Sequence, residues 1–252
     1  MVSFVKSSSN KTLAFHFRKG LGPTIVFLPG FKSNMDGSKA MFLEGECQEK
    51  GCPFLRFDYS GHGQSEGEFE EGVISRWAED AYEVINYVTT GDLILVGSSM
   101  GGWISLLLAL RLKGRVRGII GVAAAPDFTE KTMWKMWNKD LQNTLLEKGR
   151  VSLPSEYDEP YIITQDLIED GRNIQLLDDP INLDIPVKLL QGFEDSSVPK
   201  EYPERIANCL TSKDVEITFV KGGDHSLSRT SDLSLIAESL WGLHRKISNE
   251  GI

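Results

Sequence analysis

The chain has 252 residues, enough for a substantial hydrophobic core, and we expect a single domain over residues 1–252. Its net charge of −9 at pH 7, and the lack of a basic stripe with interleaved aromatic residues, argue against a nucleic-acid-binding surface. The longest apolar run is far shorter than a bilayer span and the N-terminus lacks the features of a signal peptide, so we expect a cytoplasmic protein without a transmembrane segment.

Strand patterns alternate with helix patterns along most of the chain, which predicts an α/β fold with a largely parallel sheet. The first half predicts strands over residues 12–17, 24–28, 54–59, 93–96 and 118–123, and helices over residues 38–50, 73–88 and 103–110. The second half predicts a strand over residues 187–191, a helix over 201–210, a strand over 215–220 and a final helix with an apolar face from Leu233 to Trp241.

This alternation lapses between about residues 126 and 186. The segment carries methionines and tryptophans in quick succession, followed by helical fragments separated by prolines. Long irregular insertions in compact domains are often functional. We therefore interpret the segment as a helical cap, inserted between two late strands of the sheet.

The most informative motif is the Gly-Ser-Ser-Met-Gly stretch at residues 97–101, which follows an apolar strand and precedes an apolar helix. It matches G-x-S-x-G, in which a strained turn lifts a serine hydroxyl above the carboxyl edge of a sheet. The two glycines prevent a collision where strand and helix backbones approach closely. Ser98 as the nucleophile would put Val96 and Met100 at the glycine positions, so Ser99 is the candidate.

A serine nucleophile needs a histidine base, which in turn needs a carboxylate to orient it. In a fold with this elbow, the acid and then the histidine follow the serine in the chain. His225 lies in a glycine-rich loop after the last predicted strand, where a base facing Ser99 is expected. Glu194 and Asp195 both follow the penultimate strand, and either carboxylate is able to orient an imidazole.

The predicted oxyanion hole uses two backbone N–H groups, those of Met100 and Phe31. Met100 follows the nucleophile at the start of a helix, where the helix dipole assists, and Phe31 lies in the loop after the second predicted strand. The predicted substrate-binding residues are Trp103, Met133, Trp134 and Trp137. An alternative is that the Met and Trp residues of the cap are ordinary core, because both residue types serve both purposes.

Residues 58–65 read D-x-x-G-x-G-x-S. Such a glycine-rich loop sometimes cradles phosphate, but here no helix begins directly after it. We therefore predict a structural rather than a catalytic role for His62.

Neither the cysteines nor the acidic residues show metal-ligand spacing. Cys47, Cys52 and Cys209 are odd in number, and we expect free thiols in a reducing compartment. Six acidic residues gather in one region, for which we predict a solvated face: Glu66, Glu68, Glu70, Glu71, Glu79 and Asp80. We expect no metal site.

Residues 28–31, 56–61 and 96–103, together with the loop over 58–65, resemble a branch of the α/β-hydrolases. That branch includes a mitochondrial acyl-protein thioesterase and acyl-glucuronide esterase, and it has bacterial relatives. Many α/β-hydrolases have histidine where this chain has Pro29, a departure that leaves a main-chain N–H donor at Phe31 in place. The resemblance also favours Asp195 over Glu194, since G-x-x-D-x-x-V-P is the arrangement typical of α/β-hydrolases.

The resemblance implies an α/β-hydrolase fold, with a mostly parallel central sheet flanked by helices. It implies a serine hydrolase that needs no cofactor and cleaves carboxylic esters or acyl thioesters through an acyl-enzyme on Ser99. The expected partner is a small-molecule ester or acyl-thioester substrate, or an acylated protein, and not a nucleic acid.

Two other functions fit the same residues, since fold and triad do not fix the substrate. An aminopeptidase or a carbon–carbon bond hydrolase uses the same serine, histidine and carboxylate. A non-catalytic α/β-hydrolase that acts as a receptor or scaffold is a third interpretation. Such proteins usually lose a member of the triad, and none is missing here.

Overall fold

In the computed structural model, which describes residues 1–153 and 160–250, the main feature is an eight-stranded sheet. All strands of the chain's described part, in order, are Ser3–Lys6 (β1), Thr12–Arg18 (β2), Thr24–Leu28 (β3), Phe54–Phe57 (β4), Leu93–Ser98 (β5), Val116–Val122 (β6), Arg150–Leu153 (β7), Tyr161–Thr164 (β8), Val187–Gly192 (β9) and Val215–Val220 (β10). The sheet order is β1-β2-β4-β3-β5-β6-β9-β10. β1 and β2 are antiparallel to their neighbours, and the other pairs are parallel.

Helices cover both faces of this sheet. Their bounds are Ser38–Lys50 (α1), Ile74–Val88 (α2), Met100–Arg111 (α3), Lys139–Lys148 (α4), Gln165–Asn173 (α5), Tyr202–Cys209 (α6) and Thr230–Glu250 (α7). The central strand β5 is buried along its whole length, and its side chains alternate between two apolar clusters. Ile94 and Val96 belong to the cluster with α1 and α7, whereas Leu93 and Leu95 belong to the cluster with α2 and α3. The predicted α/β-hydrolase architecture is therefore confirmed.

The N-terminal strand β1 was not predicted, and the fourth strand is shorter than predicted. β1 is a four-residue edge strand with mostly exposed side chains, so it carries no apolar pattern. The predicted strand over residues 54–59 ends at Phe57, where the ladder with β2 stops. The Asp58 amide still donates to the Ala14 carbonyl of β2 (2.9 Å), while the Asp58 side chain accepts from the Met35 amide (2.7 Å).

The segment between β6 and β9 contains more than helices. It begins with a π-helical segment, Thr129–Trp134, and continues with α4, the antiparallel hairpin of β7 and β8, and α5. The segment therefore contains the expected helices and, in addition, a pair of strands that was not predicted. Each strand of the hairpin has four residues and pairs only with the other, which is too short for a clear alternation pattern. Residues 154–159, also within the predicted cap, lie outside the described part of the chain.

Helix α1 ends in a Schellman motif, which explains why Cys47 and Cys52 are buried at the end of this helix. The Cys52 N–H donates to the Cys47 carbonyl (3.0 Å), and Gly51 lies between them with φ 69°. This arrangement commonly brings an apolar pair together at the helix end, and here both thiols are buried. All three cysteines are free, and burial raises the pKa of the Cys52 thiol.

Four of the six residues of the predicted acidic face are exposed, Glu79 is half-buried, and Asp80 is buried. Glu66, Glu68, Glu70 and Glu71 are exposed, and Glu71 pairs with Lys11 (2.8 Å). Asp80 is buried instead, so the expectation that this residue is solvated was wrong. Its Oδ2 accepts hydrogen bonds from the amide (2.9 Å) and hydroxyl (2.6 Å) of Ser60, which compensates for the loss of water.

Across the described ranges, no group of three or more His, Cys, Asp or Glu side chains is arranged to hold a metal ion. In the same part of the chain, no helix is long and apolar enough to cross a bilayer.

Candidate active site

Ser99 occupies the turn between β5 and α3 in a strained conformation. Its φ is 52° and its ψ is −115°, a combination that costs a residue with a side chain about 1–3 kcal/mol. A Cβ on Gly97 would lie under 3.0 Å from the Gly101 carbonyl, and one on Gly101 would lie equally close to the Leu28 carbonyl. The predicted strand–turn–helix and the steric need for both glycines are therefore confirmed.

Three distant parts of the chain meet at this turn. The Oγ of Ser99 lies 3.1 Å from Nε2 of His225, and Nδ1 of His225 lies 2.8 Å from Oδ2 of Asp195. Glu194, the alternative acid, is exposed and does not contact the imidazole; its backbone N–H donates to the Gly223 carbonyl (2.9 Å). The structure thus brings together Ser99, His225 and Asp195 in one line of hydrogen bonds.

This geometry defines the tautomer of the imidazole. An ionised carboxylate only accepts hydrogen bonds, so Nδ1 of His225 carries the proton and donates to Asp195. Nε2 is then left with a lone pair directed at the Ser99 hydroxyl. The arrangement presents a general base to a serine hydroxyl within hydrogen-bond reach.

The carboxylate of Asp195 is buried yet fully supplied with donors. Its Oδ1 accepts from the amides of Ser197 and Val198 (both 2.8 Å), and its Oδ2 accepts from Nε2 of Gln191 as well as from His225. Burial raises the pKa of Asp195, but the hydrogen bond from His225, the electrostatic interaction with that ring and the two amide hydrogen bonds outweigh it, so the net pKa is lowered. Asp195 is therefore ionised at neutral pH.

Gln191 is a part of this site that the sequence did not suggest. Its side chain lies buried near the end of β9, where it donates to Asp195 (2.8 Å) and to the Val198 carbonyl (3.2 Å). The amide thereby holds the turn that carries the acid. A polar residue at the end of an otherwise buried strand was the available signal.

The loops that carry the acid and the base pack directly on each other. A Cβ on Gly192 would lie under 3.0 Å from the Gly223 carbonyl oxygen, so only glycine permits this approach. Gly222 adopts φ 69°, and the Leu227 amide donates to the Asp224 carboxylate (2.9 Å), which closes the turn around His225. This close backbone approach brings the loop of His225 next to the turn of Asp195.

The two segments that carry the amides predicted for an oxyanion hole both border the serine. Met100 is the first residue of α3, so its N–H lacks an intrahelical acceptor. The loop after β3 passes so close to the elbow that a Cβ on Gly30 would lie 3.5 Å from Cβ of Ser99. The Phe31 amide follows directly in that loop. The oxyanion role of both amides stays a prediction.

The Phe31 side chain links this loop to the cap. Its ring packs edge-on against the rings of Phe69 (4.9 Å between centroids), Trp77 (5.9 Å), Phe128 (5.6 Å) and Tyr161 (6.3 Å). Phe128 lies at the beginning of the cap and Tyr161 lies in β8. The apolar surface next to the elbow is therefore built from the sheet side and the cap side together.

The four predicted substrate-binding residues lie at different depths. Trp103 is fully buried and packs edge-on against Phe128 (5.9 Å). Met133, Trp134 and Trp137 are half-buried and pack against the main core, with the rings of Trp134 and Trp137 6.4 Å apart. These contacts fit the core interpretation as well as the substrate interpretation, and contact with a substrate stays a prediction.

Comparisons with known proteins agree with the hydrolase fold described above. A family model described as alpha/beta hydrolase fold matches residues 23–161. The chain is 36% identical over 249 residues to the mitochondrial palmitoyl-protein thioesterase ABHD10 of Rattus norvegicus, a match that covers 98% of this chain and 84% of the rat protein.

Two solved structures match nearly the whole chain. A putative hydrolase from Agrobacterium vitis S4 has a TM-score of 0.92 at 36% identity, covering 96% of this chain and 98% of that chain. Alpha/beta hydrolase domain-containing protein 10 from mouse has a TM-score of 0.91 at 34% identity, covering 98% of this chain and 99% of that chain. The chain therefore belongs to the α/β-hydrolase family.

Proposed function

We propose that this hydrolase is a serine esterase or thioesterase that works through an acyl-enzyme on Ser99. The observation that carries the proposal is the continuous set of hydrogen bonds from the Ser99 hydroxyl through His225 to Asp195. A serine hydroxyl is a weak nucleophile at neutral pH, and this arrangement supplies both the base and the group that orients it.

In the proposed reaction, Nε2 of His225 accepts the Ser99 proton as Oγ attacks the acyl carbonyl. Asp195 remains ionised and stabilises the imidazolium that forms. The imidazolium then donates its proton to the departing alcohol or thiol, which leaves the acyl group on Ser99. Water, deprotonated by His225, attacks this ester, and the acid is released with Ser99 restored.

The negative charge on the tetrahedral oxygen is stabilised by the Met100 and Phe31 amides. Backbone donors need no reorganisation during the reaction, and loss of one such donor typically costs about 3–4 kcal/mol of transition-state stabilisation. Because both donors are main chain, their supply does not depend on Pro29, the position where many relatives carry histidine.

An acyl thioester with a long chain is the proposed substrate class. Two features support it: the rat relative is named a palmitoyl-protein thioesterase, and the surface beside the elbow is apolar. That surface includes Phe31, whose ring contacts Phe128 and Tyr161 of the cap. The rat relative is also named as mitochondrial, while a cytoplasmic location stays a prediction for this chain.

The test is hydrolysis of a series of acyl chains from about two to about sixteen carbons, with each chain offered as a thioester and as an oxygen ester. Ser99→Ala provides the blank. We expect Ser99-dependent turnover that rises with chain length for thioesters. A preference for short oxygen esters would point to a general carboxylesterase. It would also favour the interpretation that the Met and Trp residues of the cap are ordinary core.

The same assay separates the other functions. Turnover of aminoacyl amides, with none of esters or thioesters, would indicate a peptidase, and cleavage of a β-diketone would indicate a carbon–carbon bond hydrolase. No Ser99-dependent reaction with any of these classes would favour a receptor or scaffold.

A further inference from the structure

The loop over residues 29–36, which contains the Phe31 amide, is held from one side by the segment over residues 56–65. Five hydrogen bonds join the two. They run from the Tyr59 hydroxyl to the Pro29 carbonyl (3.3 Å), the Lys32 amide to Nε2 of His62 (3.3 Å), the Met35 amide to Oδ1 of Asp58 (2.7 Å), and the Arg56 guanidinium to both the Met35 carbonyl (3.2 Å) and the Asp36 carboxylate. Residues of the D-x-x-G-x-G-x-S motif therefore form hydrogen bonds that hold the loop beside Ser99.

His62 makes the contact that lies nearest to the Phe31 amide. Its Nε2 accepts from Lys32, the residue after Phe31, and Lys32 has the uncommon φ of 57°. Residues other than glycine seldom adopt this conformation unless their surroundings hold them there. Fixing the peptide between Phe31 and Lys32 restricts Phe31 and, through it, the direction of the Phe31 N–H.

The imidazole of His62 is held in the tautomer that this contact requires. Its Nδ1 lies 3.2 Å from the Ser60 carbonyl, which only accepts, so Nδ1 carries the proton and Nε2 is the acceptor. Burial lowers the pKa of His62 to about 4, so the ring remains neutral at physiological pH.

Aromatic packing fixes the orientation of the same ring. Three rings pack edge-on against it, with centroid distances of 5.6 Å to Tyr59, 5.2 Å to Phe69 and 5.1 Å to Trp77. Phe69 and Trp77 also pack against the Phe31 ring, so one aromatic group holds both His62 and Phe31. Rotation of the imidazole away from Lys32 would disturb this whole group.

We propose that His62 is a positioning residue for the oxyanion hole: by holding the Lys32 amide, it aims the Phe31 N–H at the oxygen of the transition state. The inference rests on the proposed function of Ser99. His62 touches neither the nucleophile nor the base, and its role is to orient the donor.

Two amide variants separate this role from packing. In His62→Gln the side-chain oxygen is able to reach the position of Nε2 and accept from Lys32, whereas the shorter His62→Asn reaches only the position of Nδ1. His244→Leu is the control. It removes a half-buried imidazole on α7 that contacts Cys52 (3.7 Å) and is far from the elbow loop in sequence. Should His62→Asn fail to fold, His62→Met, which fills space without this acceptor, replaces it.

The readouts are kcat and KM for the best ester or thioester, and the affinity for a trifluoromethyl ketone that forms a tetrahedral adduct. We expect His62→Asn to lower kcat by about 100-fold with KM little changed, and to weaken binding of the ketone in parallel. His62→Gln should recover most of that loss, and His244→Leu should match the wild type.

Equal kcat in the Asn and Gln variants, or a loss confined to KM, would overturn the positioning role. Failure of the proposed function looks different: the wild type itself would show no turnover above the Ser99→Ala blank.

Discussion

The Nδ1 atom of His225 lies 2.8 Å from Oδ2 of Asp195, and no other carboxylate in the described chain shares that contact. Its neighbour Glu194 is exposed, although the two residues differ by one position and carry the same functional group. The turn after β9 directs one carboxylate inward, where the Ser197 and Val198 amides donate to it, and directs the other outward.

This difference predicts that Asp195→Asn and Glu194→Gln have very different effects. The first replaces an acceptor by an amide that favours the wrong tautomer of His225, and kcat should fall by about 10⁴-fold. Glu194→Gln should change kcat by less than about threefold, since its exposed charge is screened by solvent. The measurement is steady-state hydrolysis with both variants at equal folded concentration. Comparable losses in the two would contradict the assignment of the acid.

The close approach of α3 to β3 predicts a severe effect of Gly101→Ala. The new methyl group would lie under 3.0 Å from the Leu28 carbonyl, so either the helix or the strand must move. We expect a loss of at least about 3 kcal/mol in the free energy of unfolding, measured by urea denaturation.

Gly45→Ala is the matched control for that variant. Gly45 lies in α1, and a methyl group added there would meet no atom of another described element within 4 Å. Alanine at this position should stabilise the helix by about 0.5–1 kcal/mol. If Gly101→Ala is as stable as Gly45→Ala, the elbow does not depend on the close approach of α3 to β3.

The strained backbone at Ser99 predicts that the conformation of the elbow lowers the free energy of unfolding. Ser99→Ala removes the hydroxyl but keeps a side chain at φ 52°, whereas Ser99→Gly also relieves the backbone. We expect Ser99→Gly to exceed Ser99→Ala in unfolding free energy by about 1 kcal/mol, after the larger entropy of glycine in the unfolded chain is allowed for. Thermal and urea denaturation test this, and a less stable Gly variant would argue against strain.

The buried imidazole of His62 predicts a specific dependence of stability on pH. Its pKa is about 4 in the folded protein against 6.5 in the reference state, so the unfolded chain binds the proton first as pH falls. Stability from this group is complete above about pH 6.5 and is lost progressively toward pH 4, by up to about 3 kcal/mol. His62→Gln lacks this titration. As pH falls across that window, the free energy of unfolding should therefore decrease more for the wild type than for His62→Gln in urea denaturation. Parallel curves would show that His62 titrates normally.

The elbow, the acid turn and the base loop were predictable because each follows a strand of the parallel part of the sheet and is defined by a local pattern. Carboxyl ends of parallel strands meet at one edge of a sheet, so the order of Ser99, Asp195 and His225 along the chain was enough to bring them together. The choice of Asp195 over Glu194 needed the resemblance, since spacing alone left both open.

Other features depend on contacts that no local pattern encodes. The burial of Asp80 follows from Ser60, 20 residues away, and the donor from Gln191 is visible only once the acid turn is folded. β7 and β8 are two short strands that pair with each other, and the preference of such short segments for strand depends on tertiary context.

The most direct test of an acyl-enzyme on Ser99 is titration with a fluorophosphonate, followed in the same samples by residual hydrolysis and by peptide mass spectrometry. The phosphonate forms a stable analogue of the tetrahedral adduct on an activated serine. We predict one phosphonyl group per chain, on the peptide that contains Ser99, with hydrolysis lost in proportion to labelling. Hydrolysis that persists when Ser99 is fully labelled, or labelling at another residue that abolishes it, would contradict the account.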